Sequence, residues 1–238
     1  MNKLLLTIFI SISSLVYGEG NEKEIFSKSN DFYKLGMYRQ AIDGYENLLS
    51  QGIKDKAIFY NLGNAYYKDA KIGEARLNYE RALRLSPRDE DIRFNLEYVK
   101  SIINEEKGGF ATQLFAFFTL NELTIITSVF YLLFIISIFP IFFKKRYLIL
   151  NLSIGIILIL LGIWLGLRIY YEEGIKLAIV INPSSQVRNG PSEDYSVGFT
   201  LPEGKSVVIL SKKGDWVEIG IKEKGLKGWI KKDEIEKI

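Results

Sequence analysis

Residues 123–167 read LTIITSVFYLLFIISIFPIFFKKRYLILNLSIGIILILLGIWLGL, and this stretch decides the organisation of the whole chain. It contains two runs of 21 residues without a charge, at 123–143 and 147–167. As a helix, a run of about 20 apolar residues spans the ~30 Å hydrocarbon core of a bilayer. The stretch therefore predicts two transmembrane helices, at 123–143 and 147–167, joined by a very short turn.

The turn between the two predicted helices is basic, and charges of this kind mark the cytoplasmic side of a membrane. We therefore expect the segments before 123 and after 167 to lie on the extracytoplasmic, or periplasmic, face of the cytoplasmic (inner) membrane. Neither run has an ionisable residue in its interior, which argues against an ion or proton pathway along the helices. The residues of the turn are Lys144, Lys145 and Arg146.

Further features flank and interrupt the predicted hairpin. Residues 110–121 are aromatic and apolar with polar interruptions, which predicts an interfacial helix on the outer leaflet. Asn121 is then the expected N-cap of the first transmembrane helix. In the second run, Gly162 and Gly166 have the small-xxx-small spacing that lets helices pack closely, or they are incidental glycines that face lipid.

Residues 1–18 have the order of a secretory signal peptide. Lys3 supplies a basic start, 4–16 are mostly apolar, and Val16 and Gly18 suit the −3 and −1 positions of a cleavage site. An uncleaved anchor helix is the alternative. In both cases the segment that follows is carried across the membrane, in agreement with the topology predicted from the basic turn.

An internal repeat of 34 residues precedes the hairpin. Shifting the sequence by 34 aligns Asn30 with Asn64, and a further shift brings 60–62 onto 94–96. The second copy, FYNLGNAYY at 59–67, resembles the tetratricopeptide repeat. The resemblance implies two antiparallel helices in each repeat, stacked into a curved array.

The repeat pattern predicts a helical array over 22–106, in which 92–103 form a capping helix over the last apolar face. Pro87 is expected to end the second helix of the second repeat. Large aromatic side chains would fill the space between helices that approach closely at small residues. The small residues are Gly63, Ala75 and Ala82.

The first helix of each repeat is expected to line the concave side of the array. Rows of asparagine and lysine there could hold a peptide backbone or a terminal carboxylate. Asparagine and tyrosine are also common at these positions in repeats that bind no peptide, so a purely structural role stays open. The candidate peptide-binding residues are Asn30, Tyr33, Lys34, Tyr60, Asn64, Tyr67, Lys68 and Tyr98.

From Lys176 onward the sequence changes in character. Short β-rich runs alternate with turn sequences that contain glycine and proline, which predicts a small all-β barrel over 176–238. The predicted strands are 178–181, 207–210, 216–219 and 228–230.

The glycine, proline and tryptophan pattern of this segment resembles the bacterial SH3 domain. The resemblance implies an extracytoplasmic location and binding of peptide or cell wall. The candidates for a ligand face are Tyr195, Trp216 and Trp229, which could instead close the barrel core; for Trp229 the core is the favoured alternative. The residues that carry the resemblance are Val187, Arg188, Gly190, Pro191, Ser192, Gly204, Gly214, Asp215, Trp216, Gly228, Trp229 and Ile230.

Composition excludes several classes of site. The chain has no cysteine and no histidine, so disulfides, Cys/His zinc sites and histidine-based triads are excluded. The net charge is +3 and the excess flanks apolar segments, which gives no support for nucleic-acid binding. No nucleophile elbow or phosphate-binding loop is present. We therefore expect no enzymatic activity, no cofactor and no metal.

The order of signal peptide, two helical repeats, membrane hairpin and SH3-like module resembles the BatE-type proteins of the aerotolerance operons. That resemblance implies an envelope stress-tolerance complex with membrane-anchored von Willebrand A-type partners and a MoxR-type ATPase. The expected function is a membrane-anchored scaffold that binds other membrane or periplasmic proteins. The alternative is a protein that binds or senses peptidoglycan.

Overall fold

The structure is a computed structural model and describes residues 21–105, 114–115, 117–142, 144–145, 147–221 and 225–238. They form two compact units, one from residues 21–105 and 177–238 and the other from the segment between them. The predicted signal peptide at 1–18 lies outside the described residues, as do 110–113 and 116 of the predicted interfacial helix at 110–121. Of its described residues, 114–115 are helical, 117–119 are not, and 120–121 belong to the apolar helix that follows, so one continuous interfacial helix over 110–121 is not observed. The first unit therefore combines two parts of the chain that the apolar segment separates.

The first part is a helical array, as predicted. Asp55 caps α3 by accepting a hydrogen bond from the Ala57 N–H at 2.7 Å, and Asp89 caps α5 by accepting one from the Ile92 N–H. The helix α4 ends at Leu85, just before Pro87. The helices are α1 (21–34), α2 (Tyr38–Ser50), α3 (Lys56–Lys68), α4 (Ile72–Leu85) and α5 (Glu90–Ile102).

Small residues set the spacing of these helices, as the repeat pattern predicts. A Cβ built on Gly63 would lie 2.8 Å from the ring of Tyr79, which is buried. In the first repeat the small residue is on the other helix of the pair, where a Cβ on Gly44 would lie 2.1 Å from the Ser29 Oγ. The two repeats therefore achieve the same close approach with the glycine on different helices.

The middle unit is a pair of apolar helices, α6 (Leu120–Ile138) and α7 (Tyr147–Gly174), with a 3₁₀ turn at Phe139–Phe142. Both are long and apolar enough to cross a membrane. The α-helix ends before Pro140, and α7 extends seven residues past the predicted limit of 167.

The prediction that Asn121 caps the first of these helices is wrong. Thr119 is the N-cap: its hydroxyl accepts from the Glu122 N–H at 3.2 Å, and the Glu122 carboxylate accepts from the Thr119 N–H at 3.0 Å. This reciprocal capping box satisfies two backbone donors, whereas Asn121 lies inside the first turn.

The two apolar helices contact each other at a polar pair and at one glycine. The Asn151 amide donates a hydrogen bond to the Ser137 hydroxyl at 2.7 Å. A Cβ on Gly155 would lie 3.1 Å from the Phe134 ring, whereas Gly162 and Gly166 have no described neighbour within 4 Å. The close approach is therefore at Gly155, and among the described residues the small-xxx-small pair makes no helix contact.

The second part of the first unit, the β-domain (177–238), is one antiparallel seven-stranded sheet of order β3-β2-β6-β5-β4-β1-β7. Side chains of β5 alternate, with Val217, Ile219 and Ile221 buried in one core. The predicted strands are present, and three further strands were not predicted. The strands are β1 (Leu177–Val180), β2 (Ser184–Arg188), β3 (Val197–Pro202), β4 (Ser206–Lys213), β5 (Trp216–Ile221), β6 (Leu226–Lys231) and β7 (Ile235–Lys237).

The β-domain packs against α4 of the helical array. A Cβ on Gly73 in α4 would lie 2.6 Å from the Val180 carbonyl oxygen and 2.9 Å from the Ile181 Cα. The Gly73 N–H donates to the Glu203 carboxylate at 3.2 Å. Only glycine allows the backbones of helix and strand to meet this closely.

Candidate functional site

The array carries a hydrogen-bonded ladder with the 34-residue period. In the second repeat, the Asn64 Oδ1 accepts from the Tyr79 hydroxyl at 2.7 Å and from the Asn95 amide at 3.0 Å. The first repeat has the same geometry, at 2.6 and 2.9 Å. Its members are Asn30, Tyr45 and Asn61.

Burial keeps the tyrosine hydroxyls of this ladder protonated, so that they act as hydrogen-bond donors. Burial raises the pKa of Tyr45 to about 12, against a smaller opposing effect of the Asn61 hydrogen bond. Burial also raises the pKa of Tyr79. Both hydroxyls therefore stay protonated near neutral pH, and the Oδ1 atoms of Asn30 and Asn64 serve to join the helices.

The predicted peptide-binding residues differ in what they contact. Asn30 and Asn64 belong to the ladder, and their Oδ1 atoms are engaged in hydrogen bonds between the helices. Lys34 and Lys68 are exposed, and the Lys34 ammonium pairs with Asp31 at 3.2 Å.

The predicted tyrosines contact other aromatic rings. The rings of Tyr67 and Tyr98 meet edge to face, with centroids 5.8 Å apart. Tyr33 contacts Tyr38 at 5.5 Å. Tyr60 packs near Tyr79 at 6.1 Å and accepts from the Asn95 amide at 3.1 Å.

The last helix adds Phe94, which was not among the predicted binding residues, beside the predicted Tyr98. Phe94 is 72% exposed, and Tyr98, one turn further along α5, is 50% exposed. Phe94 occupies the repeat position of Tyr60, so the alignment contained a signal for it. Among the described residues, no further helix of the array covers these two side chains, and they form an aromatic pair at the surface of α5.

The β-domain carries its tryptophans on the outer side of the sheet. Val217 and Ile230 point into the core, so their neighbours Trp216 and Trp229 point outward and are half-buried. Trp216 and Glu218 are two residues apart on β5 and so lie on the same face of the sheet. Glu218 is the register partner of Trp229 on β6, so the rings of Trp216 and Trp229 lie on that same face. The alternative that Trp229 closes the core is therefore wrong, because strand alternation places its neighbours there.

The third candidate of the ligand face, Tyr195, lies in the turn between β2 and β3. Its ring covers Gly190, where a Cβ would lie 2.5 Å from ring atoms. The Arg188 guanidinium donates to the Tyr195 carbonyl at 2.8 Å, and Arg188 is the register partner of Trp229. Arg188 thus links the turn that holds Tyr195 to the strand that holds Trp229.

A buried charged cluster joins the helical array to the β-domain. The Arg76 side chain is 2% exposed; it donates two hydrogen bonds to the Glu105 carboxylate and one, at 2.6 Å, to the Gly204 carbonyl. Burial alone would raise the pKa of Glu105, but the Arg76 hydrogen bonds and the charges of Arg76, Lys205 and Lys100 hold it below its usual value. The cluster therefore stays ionised and ties the two modules together.

Nothing in the described part of the chain suggests a metal centre, since no group of three or more acidic side chains there could hold a metal ion. The predicted absence of catalytic activity stays an expectation.

Comparison with known families agrees with both modules. Residues 57–89 match the family model of the tetratricopeptide repeat, and residues 184–236 match that of the bacterial SH3 domain. A comparison with curated proteins returned no match. The chain thus contains a tetratricopeptide repeat and a bacterial SH3 domain, two module classes that suggest binding of proteins.

Proposed function

We propose that this chain is a membrane-anchored extracytoplasmic adaptor, which binds protein partners through the compact unit made of the helical array and the β-domain. The observation that carries the proposal is the packing of these two modules into one unit, although an apolar segment separates them in the sequence. Modules that dock must share a compartment. A membrane hairpin meets this condition, because two spans return the chain to the side from which it left.

The surface of the helix pair supports its insertion into lipid. Among the described residues between 114 and 176, only Leu123 and Asn151 are buried. Two long helices with exposed leucine, isoleucine and phenylalanine side chains are unstable in water and stable in hydrocarbon. The Asn151 hydrogen bond to Ser137 is the kind of interhelical contact that holds such a pair together there.

The basic turn supports the orientation. Lys144 and Lys145 are exposed between α6 and α7. Lysines in a short loop are retained on the cytosolic side, so both modules would lie on the other side of the membrane.

The exposed aromatic surface of α5 is the proposed protein-binding site of the array. Large aromatic side chains dominate protein interfaces, and Phe94 and Tyr98 are exposed on one face of that helix. Because the resemblance is to BatE-type proteins, membrane-anchored von Willebrand A-type proteins are the proposed partners, in an envelope stress-tolerance complex.

Co-purification from detergent-solubilised membranes tests this function. The full chain with Phe94→Ala and Tyr98→Ala should lose the partners that the unmodified chain retains. A matched control is Lys54→Ala, at an exposed site of the array. Equal recovery of the partners with all variants would contradict a binding role of this surface.

A second candidate function is peptidoglycan binding by the β-domain, favoured by the outward tryptophans. Trp216 and Trp229 offer aromatic surface on one side of the sheet. Purified sacculi should retain the full chain but not its Trp216→Ala/Trp229→Ala variant. No retention of the unmodified chain would leave the adaptor function alone.

A further inference from the structure

A pocket of about 310 Å³ opens between the second helices of the two repeats and the last strand of the β-domain. Its walls come from α2, α3, α4 and β7. It contains none of the candidate binding residues discussed above. The β-domain contributes Glu236 of β7 to the lining, and the other lining residues belong to the helical array.

Two residues that line the pocket each have a buried acceptor atom without a hydrogen-bond donor. Asn78 is 2% exposed; its amide nitrogen donates to the Glu74 carbonyl at 2.9 Å, and its Oδ1 has no partner. The Glu74 Oε2 is also buried without a partner. Buried acceptors normally find a donor, so these two atoms point to a ligand that donates hydrogen bonds.

The charges around the pocket favour a cation. Glu46, Glu74 and Glu236 face it from three elements, against one guanidinium, that of Arg81. Arg81 is already engaged, since it donates to the Glu236 carboxylate at 2.6 Å and to the Lys237 carbonyl at 2.8 Å. The other titratable wall residue is Tyr66, whose hydroxyl donates a hydrogen bond to the Glu46 carboxylate.

The electrostatic surroundings of Glu74 also favour a cation in the pocket. Burial raises the pKa of Glu74, and the nearby carboxylates of Glu203 and Glu236 raise it further, while Lys71 acts in the opposite direction. A backbone hydrogen bond and Lys71, whose ammonium lies 5.4 Å from the centroid of the Tyr66 ring, offset these effects in part, and a cation in the pocket would offset them further.

The shape of the site favours an organic cation over a metal ion. The carboxylates of the pocket do not form one of the acidic groups that could hold a metal, since the described residues contain none. Leu49, Leu62 and Leu77 supply apolar wall beside the acceptors. Scattered acceptors next to apolar surface suit an ammonium group, with its three donors, on an aliphatic stem.

We propose that this pocket binds a primary ammonium group on an aliphatic stem, of the kind that a lysine side chain carries. The ammonium donates to the Asn78 Oδ1 and the Glu74 carboxylate, and the stem lies against the leucines. The site is separate from the proposed partner surface on α5, so each can fail without the other.

Calorimetric titration of the full chain in phosphatidylcholine nanodiscs tests the proposal. The probe is Nα-acetyl-lysine methylamide, and the matched neutral probe is Nα-acetyl-norleucine methylamide. We expect the lysine probe to bind at one site and the norleucine probe not to bind. Glu74→Gln and Asn78→Leu should each weaken binding about tenfold, because each removes one acceptor of a charged donor. The control Glu24→Gln, at an exposed site of α1, should not.

Several outcomes would overturn the assignment. They are no binding of the lysine probe, equal binding of both probes, or unchanged affinity in Glu74→Gln, which preserves shape and is checked for folding by its thermal melt. Binding of Ca²⁺ that Glu74→Gln abolishes, without lysine binding, would make this a metal site instead.

The source of the ammonium is a separate arm of the experiment. If a peptide with one internal lysine binds as well as the free probe, a protein partner supplies the group. If 1,5-diaminopentane binds and the peptide does not, a small molecule supplies it.

Discussion

The Arg76 guanidinium in α4 donates a hydrogen bond to the carbonyl oxygen of Gly204 at 2.6 Å, across 128 residues of sequence that include the apolar hairpin. The same side chain holds Glu105, just after the last helix of the array. One buried arginine therefore binds the end of the array and the β-domain at once.

Arg76→Leu should loosen the docking of the two modules. The change leaves the Glu105 carboxylate partly buried without its main partner, so we expect a loss of about 3 kcal/mol in the free energy of unfolding of this unit. Denaturant titration in detergent micelles, followed by tryptophan fluorescence, measures the loss.

An exposed arginine provides the control for that change. Arg39 pairs with Asp69 at 3.4 Å with an 84% exposed side chain. Arg39→Leu should therefore change stability by less than about 0.5 kcal/mol. Equal effects of the two variants would mean that the Arg76 cluster does not hold the modules together.

Gly73→Ala separates helix stability from docking. In an exposed helix this change would be favourable by about 1 kcal/mol, because alanine has the higher helix propensity. Here the new Cβ would lie 2.6 Å from the Val180 carbonyl oxygen, and backbone cannot yield as a side chain can. We expect a net loss of about 1–3 kcal/mol and faster hydrogen exchange of β1.

The effect of Gly73→Ala on hydrogen exchange should be confined to the contact between α4 and β1. Amides of β1 should exchange faster while those of α3 keep their protection. A more stable protein with unchanged β1 exchange would show that the helix and the strand do not meet as closely as described.

Acidification should weaken the docking through Glu105. Its pKa is lowered in the folded state, so the ionised cluster contributes stability above the unfolded-state pKa of about 4.3 and loses it as pH falls through the folded-state value. Stability measured between pH 7 and pH 3 should drop more steeply for the unmodified chain than for Glu105→Gln. Parallel pH profiles would argue against an ionised Glu105 in the folded unit.

Asn64→Ala should reveal the structural role of the asparagine ladder. It leaves the buried Tyr79 hydroxyl without its acceptor and also removes the bond from Asn95, so we expect a loss of about 1–3 kcal/mol. Lys68→Ala, at an exposed site of the same helix, should leave the melting temperature unchanged. Partner recovery that falls in Asn64→Ala without any change in melting would instead favour direct ligand contact by Asn64.

The regular parts of the fold could be predicted from the sequence because their signals are local. The 34-residue period identified the helix pairs and the small residue Gly63, and short β-rich runs between turn sequences identified strands such as β5. The cap of α6 was misassigned because Asn121 is a good cap residue by type, whereas the reciprocal pair of Thr119 and Glu122 decides the geometry.

The docking of the modules could not be predicted in this way. In the sequence, Arg76 looks like an ordinary charged residue on a helix surface. Its partner at Gly204 is a backbone carbonyl oxygen, which every residue has, so the residue type gives no sign of the contact. Strand alternation around Val217 and Ile230 could have shown that Trp229 points outward, since it is a local pattern.

Labelling of single cysteines in intact spheroplasts tests the central claim, that both modules lie on the same outer side of the membrane. The chain has no cysteine, so each introduced thiol reports alone. Lys54→Cys in the array and Lys227→Cys in the β-domain should both react with a membrane-impermeant maleimide, and Lys145→Cys in the turn should react only after lysis. Labelling of one module without the other, or of Lys145→Cys in intact spheroplasts, would contradict the account.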